Sequence, residues 1–224
     1  NPFLPENLEV IVPAKKLPKP GASIAPPTVV EPLPADGGVW KVRHKLDDIF
    51  AQPTAVCIFQ LVSPVAYESP RTRAALSLFK SCLDEHLNED TYDARVAGLH
   101  YDVRFNARGV TLTFGGYCDK MPGLIDKVAK AVATYNPTDP VEFERLRDVV
   151  SRILSSYDTQ DPLDHAESNA NEAIEDPRFT VKELRDTLDS IELKDLRSLG
   201  TRVIDEAEGL CLLQGNLKNT DIPE

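Results

Sequence analysis

Leu87-Asn-Glu-Asp-Thr-Tyr-Asp-Ala-Arg-Val-Ala-Gly-Leu-His-Tyr101, with Gly109-Val-Thr-Leu-Thr-Phe-Gly-Gly-Tyr-Cys-Asp-Lys120 shortly after it, decides the fold of this 224-residue chain. The pair reads as a helix end, a strand, a short turn, a second strand and a helix start. Gly98 stands where a helix commonly stops on a residue with positive φ. Leu99 to Asn106 and Val110 to Gly115 both alternate apolar and polar residues, the period of a half-buried strand. Ala107-Arg108-Gly109 lies between them, so an antiparallel hairpin is expected. Gly115-Gly116 is expected to form a tight strand-to-helix turn. It lacks both G-x-G-x-x-G and the P-loop lysine pattern, so phosphate binding is not read from it.

Outward from that hairpin, the same rules place the other elements. Val39 to Lys45 alternates, and Ala55-Val-Cys-Ile-Phe-Gln-Leu-Val62 is a continuous β-branched and apolar run, hence a central strand. Ser69-Pro70 is an N-cap followed by an N1 proline, opening a helix with Ala75, Leu76, Phe79, Leu83 and Leu87 on its apolar face. Leu124, Ile125, Val128, Val132 and Tyr135 mark another amphipathic helix. Asp139-Pro140 with Glu142 opens a helix through Phe143, Leu146, Val150, Ile153 and Tyr157, and Asp161-Pro162 repeats the device. Thr180 and Glu183 form a capping box. Leu193 to Val203 is a further helix, and Gly209 to Gln214 a last apolar strand. Hairpins with clustered helices, rather than alternating βαβ units, imply an α+β fold with helices packed on a mostly antiparallel sheet.

Residues 1–36 hold 9 of the 18 prolines. That stretch reads as an extended linker, in which Leu8 to Val12 could pair briefly as a strand. The expected organisation is a linker over 1–36 and one α+β domain over 37–224. The chain lacks an initiator Met, so it is read as a fragment or processed product. Its start has no signal-peptide pattern, and no apolar run reaches the roughly 18 residues of a membrane span.

Net charge is −11, which argues against nucleic acid and anionic membranes as partners. Asp158 to Glu208 carries 15 acidic and 6 basic residues, read first as a solvated helical face. Cys57, Cys82, Cys118 and Cys211 have no paired spacing and are read as free thiols in a reducing compartment, the cytoplasm.

No residue constellation carries catalysis. His86-Leu-Asn-Glu89-Asp90 approaches an inverted zinc motif, yet its second histidine is Asp90, and a catalytic zinc needs three protein ligands. Cys82 and His86 share a helix face, but two ligands make no site. His44, His100 and His165 fall on different elements. Ser69, Ser77 and Ser81 have no nucleophile-elbow context. Asp47-Asp48 and Asp161 with Asp164 are paired acids that nothing singles out for acid–base work. The expectation is no catalytic and no metal residue in this chain; substrate-binding residues are not assigned.

Several pieces, in order, resemble the middle domain of the insulysin and pitrilysin family of zinc metallopeptidases. Asn1-Pro-Phe-Leu-Pro-Glu-Asn is like the family's Asn-x-Phe-Ile-Pro. Trp40-Lys, Asp47-Asp48-Ile-Phe50 and Pro53 are similar to Trp-x-Lys-x-Asp-Asp-x-Phe-x-x-Pro, with two extra residues between Trp40 and Asp47. Ser63-Pro64-Val-Ala-Tyr67, Leu87-Asn-Glu, Tyr92-Asp-Ala, Ala97-Gly-Leu, Tyr101-Asp102, Gly116-Tyr, Asp119-Lys120 and Gly215-Asn216 follow. No single piece is specific; the ordered set covers nearly the whole chain. The resemblance implies the third of four homologous domains, in the non-catalytic half of an enzyme whose two halves enclose a chamber for short unfolded peptides. Zinc, bound through His-x-x-Glu-His, would then lie in the first domain, and the partners would be the other domains of the polypeptide and its peptide substrates. The role implied is chamber wall and docking surface; the alternative is an inactive relative acting in binding or assembly.

Overall fold

The computed structural model describes residues 1–12, 26–30, 34–35, 38–106 and 108–218. Ala107 and the Asp36-Gly37 break fall outside the described residues.

The long apolar run forms β4 (Thr54–Val62) at the middle of a sheet. It pairs antiparallel with β6 (Gly109–Tyr117) on one side and with β7 (Glu208–Gly215) on the other. β5 (His100–Asn106) closes the hairpin on β6. β3 (Gly38–Leu46) lies beyond β7 and runs parallel to it. β1 (Thr28–Val30) and β2 (Pro34–Ala35) pair antiparallel with β3. The order is β1-β3-β7-β4-β6-β5, so the last strand of the chain inserts between two that are neighbours in sequence. The sheet is therefore mixed, with β3–β7 the parallel pair.

The helices are α1 (Pro70–Asp90), α2 (Tyr92–Val96), α3 (Met121–Thr134), α4 (Pro140–Ser156), α5 (Pro162–Ile174), α6 (Val181–Leu188) and α7 (Leu199–Asp205). α1 starts where Ser69 Oγ accepts the Thr72 amide at 3.1 Å. It buries Leu78 and Cys82 as well as the expected Leu76, Phe79, Leu83 and Leu87. A helix buried on more than one stripe is enclosed, and α1 contacts β5, α3, α4 and α6. Its residues join Val42, Cys57, Val103, Leu112, Phe114 and Leu213 of the strands in one core. Aromatic edges cross that core: Trp40 to Phe59 at 6.2 Å, Phe59 to Phe114 at 6.0 Å and Phe79 to Phe105 at 5.9 Å.

Gly98 ends the α1–α2 segment with φ +82°. The Leu99 amide donates to Ala94 O and the Gly98 amide to Arg95 O, which is a Schellman ending. Asp139 caps α4 through the Val141 and Glu142 amides, and the Thr180–Glu183 capping box is formed.

Five expectations differ. Gly115-Gly116 lies inside β6, and the turn to α3 comes later, at Cys118 to Lys120; the hairpin strands run longer because β4 offers a partner as far as Tyr117. Leu193 to Val203 is not one helix: a 3-10 turn at Leu193–Leu196 ends before Ser198, whose φ of 58° breaks the path into α7. Leu8 to Val12 forms no strand, since the Ile11 amide is taken by the Asn216 side chain. Ile153 is exposed while Leu154 packs on the core instead. Asp161 starts α5 with proline following, but its side chain makes no cap hydrogen bond.

Residues 1–12 lie as a strap against the domain. Asn1 Nδ2 donates to Asp93 O at 2.8 Å, and Phe3 packs against the core. The Glu6 and Asn7 amides donate to Asp119 Oδ2, and Lys120 pairs with Glu6 at 3.0 Å. Asn216 receives the Ile11 amide and donates to Glu9 O, both at 2.8 Å. Three motifs far apart in sequence, Asn1-Pro-Phe-Leu-Pro, Asp119-Lys120 and Gly215-Asn216, thus meet along one line.

Candidate functional site

The catalytic-looking residues disperse. His44 is buried, its Nε2 2.7 Å from Leu217 O. His165 stands edge-on to Tyr157 at 4.5 Å. Asp90 is held by Lys127, 3.5 Å away. Ser77 and Ser81 donate to backbone carbonyls one helical turn back, and Ser69 is a cap. Asp47 Oδ1 accepts the Ile49 and Phe50 amides and shapes the β3–β4 connection. Asp161 and Asp164 sit in the solvated first turn of α5. Among the described residues, no three His, Cys, Asp or Glu side chains converge as metal ligands would.

Cys82 and His86 do share a cleft of about 240 Å³, with Glu85, Tyr135, Asp139 and Glu142 around it. The His86 ring stacks on Tyr135 at 4.6 Å. Burial, with the Glu142 charge added, pushes the Cys82 thiol up to about 11. Burial likewise raises the Tyr135 phenol to about 12. Neither is an activated nucleophile at neutral pH, because both stay protonated.

A second feature is the face of the sheet opposite its core-facing side. Side chains alternate along a strand, so each core-facing residue has an outward neighbour. The pairing aligns those neighbours in rows across five strands. One row runs Lys41, Leu210, Gln60, Thr111, Arg104. The next runs Arg43, Leu212, Ile58, Thr113, Asp102, and the third runs Lys45, Gln214, Val56, Gly115, His100. Val56 is 43% exposed and Leu210 38%. Ile58 and Leu212 face each other across β4 and β7 and lie outside the core. The His100 ring lies across β6 at Gly115. Arg104 is ion-paired with Asp102 on the far edge. The face is thus an apolar strip with three cations along β3 on one side and the Thr111 and Thr113 hydroxyls on the other. It offers area, hydrogen-bonding groups and positive charge, and among the described residues no metal cradle.

This surface was missed in the sequence because β7 is remote from β4, and only the register brings Leu210 and Leu212 beside Val56 and Ile58. The period-2 alternation was its one visible signal.

Comparison with known proteins gives a consistent result. A family model described as the middle or third domain of peptidase M16 matches residues 1–187. The chain is 30% identical over 220 residues to human insulin-degrading enzyme, covering 97% of this chain and 20% of that protein. It is 25% identical over 222 residues to a putative zinc protease of Schizosaccharomyces pombe, covering 99% and 22% respectively. The crystal structure of pitrilysin matches with a TM-score of 0.84 at 20% identity, over 99% of this chain and 22% of that one. The chain therefore spans about a fifth of the length of the curated relatives it matches.

Proposed function

Since this chain belongs to the middle-domain family of the M16 peptidases, we propose that it serves a longer zinc metalloendopeptidase as a non-catalytic wall and docking surface for short peptides. Its partners are the other domains of that polypeptide and the peptide substrates. By the family resemblance, the zinc is held in this reading by the first domain of the longer polypeptide; the described residues here bring no ligand set together. In this reading residues 1–36 end the segment joining the two halves, with Thr28–Val30 and Pro34–Ala35 paired onto β3, the first strand of the folded domain over 37–224. The hydrogen bonds along residues 1–12 support reading that stretch as part of a tether laid on the domain. The free thiols support a reducing compartment, the cytoplasm. No helix among the described residues is long and apolar enough to cross a membrane.

The observation that carries the reading is the outward sheet face, on which Val56 and Leu210 are exposed and Ile58 and Leu212 half-buried. Five strands span roughly 19 Å at the usual spacing, the length of about six extended residues. A short unfolded peptide laid across them meets the Leu210, Leu212, Ile58 and Val56 strip. Its acidic groups are drawn toward Lys41 and Arg43. The surface holds substrate while the chemistry proceeds elsewhere.

The test uses the full-length polypeptide carrying Leu212→Asp. KM for a short apolar peptide rises several-fold, while kcat and zinc content stay near those of the parent, since only binding is weakened. An unchanged KM, in a variant with an unchanged unfolding midpoint, contradicts the docking role.

A further inference from the structure

We infer that α5 is an interdomain docking helix, whose outward apolar stripe is covered by another domain of the same, longer polypeptide. The inference rests on the reading of this chain as one domain of such a polypeptide. α5 has none of its residues buried, which is unusual for a helix of 13 residues attached to a core. At 100° per residue, Leu163, Ala166, Ala170 and Ile174 fall on one stripe. All four are exposed, Leu163 at 77% and Ile174 at 79%. The opposite side carries His165, Ser168, Asn171 and Glu172, and these are the half-buried ones. His165 makes the inward contact, edge-on to Tyr157. The helix is inside out for an isolated domain: polar toward the body, apolar toward solvent.

Charge states what the covering surface must be. Seven acidic residues lie between Asp158 and Asp176, and no Lys or Arg occurs from Ile153 to Pro177. Two copies of α5 packed on each other would bring these acids together, which disfavours a symmetric pair of this helix. The fitting partner is an apolar surface with Lys or Arg at its rim. The matched relatives are about five times as long as this chain, which leaves ample polypeptide to supply it.

Hydroxyl-radical footprinting, read by mass spectrometry, tests this on the full-length polypeptide and on the 224-residue chain at low concentration. Leu163 and Ile174 should oxidise several-fold more slowly in the full-length protein, with exposed Val141 of α4 as the internal reference. Equal oxidation in both proteins overturns the inference. Protection already present in the 224-residue chain and lost on dilution also overturns it, since a second copy is then the cover. In a parallel measurement, Leu163→Lys should leave the unfolding midpoint of the 224-residue chain unchanged and deprotect Ile174 in the full-length protein; continued protection of Ile174 contradicts the proposal. Footprinting reads burial independently of hydrolysis. Protection in a polypeptide that cleaves no peptide leaves this inference standing while the peptidase reading falls.

Discussion

A Cβ on Gly116 would sit 2.3 Å from the Gly98 carbonyl oxygen, and both glycines have positive φ, +124° and +82°. The end of α2 and strand β6 therefore touch backbone to backbone. Gly98→Val is expected to destabilise the chain by roughly 1–3 kcal/mol, since a β-branched residue is strained at such a φ; thermal or denaturant unfolding measures it, and an unchanged midpoint contradicts it. The thiols give a second expectation. Burial raises Cys57 to about 11 and Cys211 to about 12, as it raises Cys82. In the native chain these three should resist alkylation at pH 8, leaving half-buried Cys118 to react first; mass mapping of the modified sites checks the order. Gly98 was legible in the sequence because a helix end is a local event. Gly116 was not, because its conformation answers to a segment 18 residues away that only the fold brings near.

Capping governs the shorter elements. Thr180 Oγ1 accepts the Glu183 amide at 3.2 Å, and Glu183 returns a carboxylate oxygen to the Thr180 amide at 2.8 Å. Thr180→Ala should cost about 1 kcal/mol, read as a lower unfolding midpoint or faster amide exchange in α6; no change in either contradicts the role. The Thr180 amide and hydroxyl hold the Glu183 carboxyl below its ordinary range. The Glu6 and Asn7 amides do the same to Asp119. A carboxyl depressed in the folded state stabilises above its unfolded pKa, and that contribution is lost as pH falls through the folded value. Acid should thus free the strap at Glu6 and Asn7 before the core opens, seen as amide exchange rising there as pH drops through the carboxylate range. Such caps were readable, because they are patterns over four residues. The break at Ser198 was not, because apolar spacing continues across it and only the backbone turn separates the pieces.

At the scale of the whole chain, the sequence indicated an α+β fold with an antiparallel hairpin, and those elements exist. What it did not carry was the insertion of β7 between β3 and β4, a pairing between ends of the chain more than 160 residues apart. That insertion completes the outward face, so the proposed docking surface and the mixed sheet have one cause. A shortened chain starting at Asp36 should still unfold cooperatively, at a lower midpoint, because most of the core lies beyond it; insoluble protein would place residues 1–35 within the folding unit. The most direct measurement of the docking claim is amide chemical-shift mapping of the 224-residue chain titrated with a short, unfolded, apolar–acidic peptide. Shifts should concentrate at Lys41, Arg43, Val56, Ile58, Leu210 and Leu212, with the peptide recovered intact. Shifts confined to the helical side, or hydrolysis of the peptide by the chain alone, would contradict it.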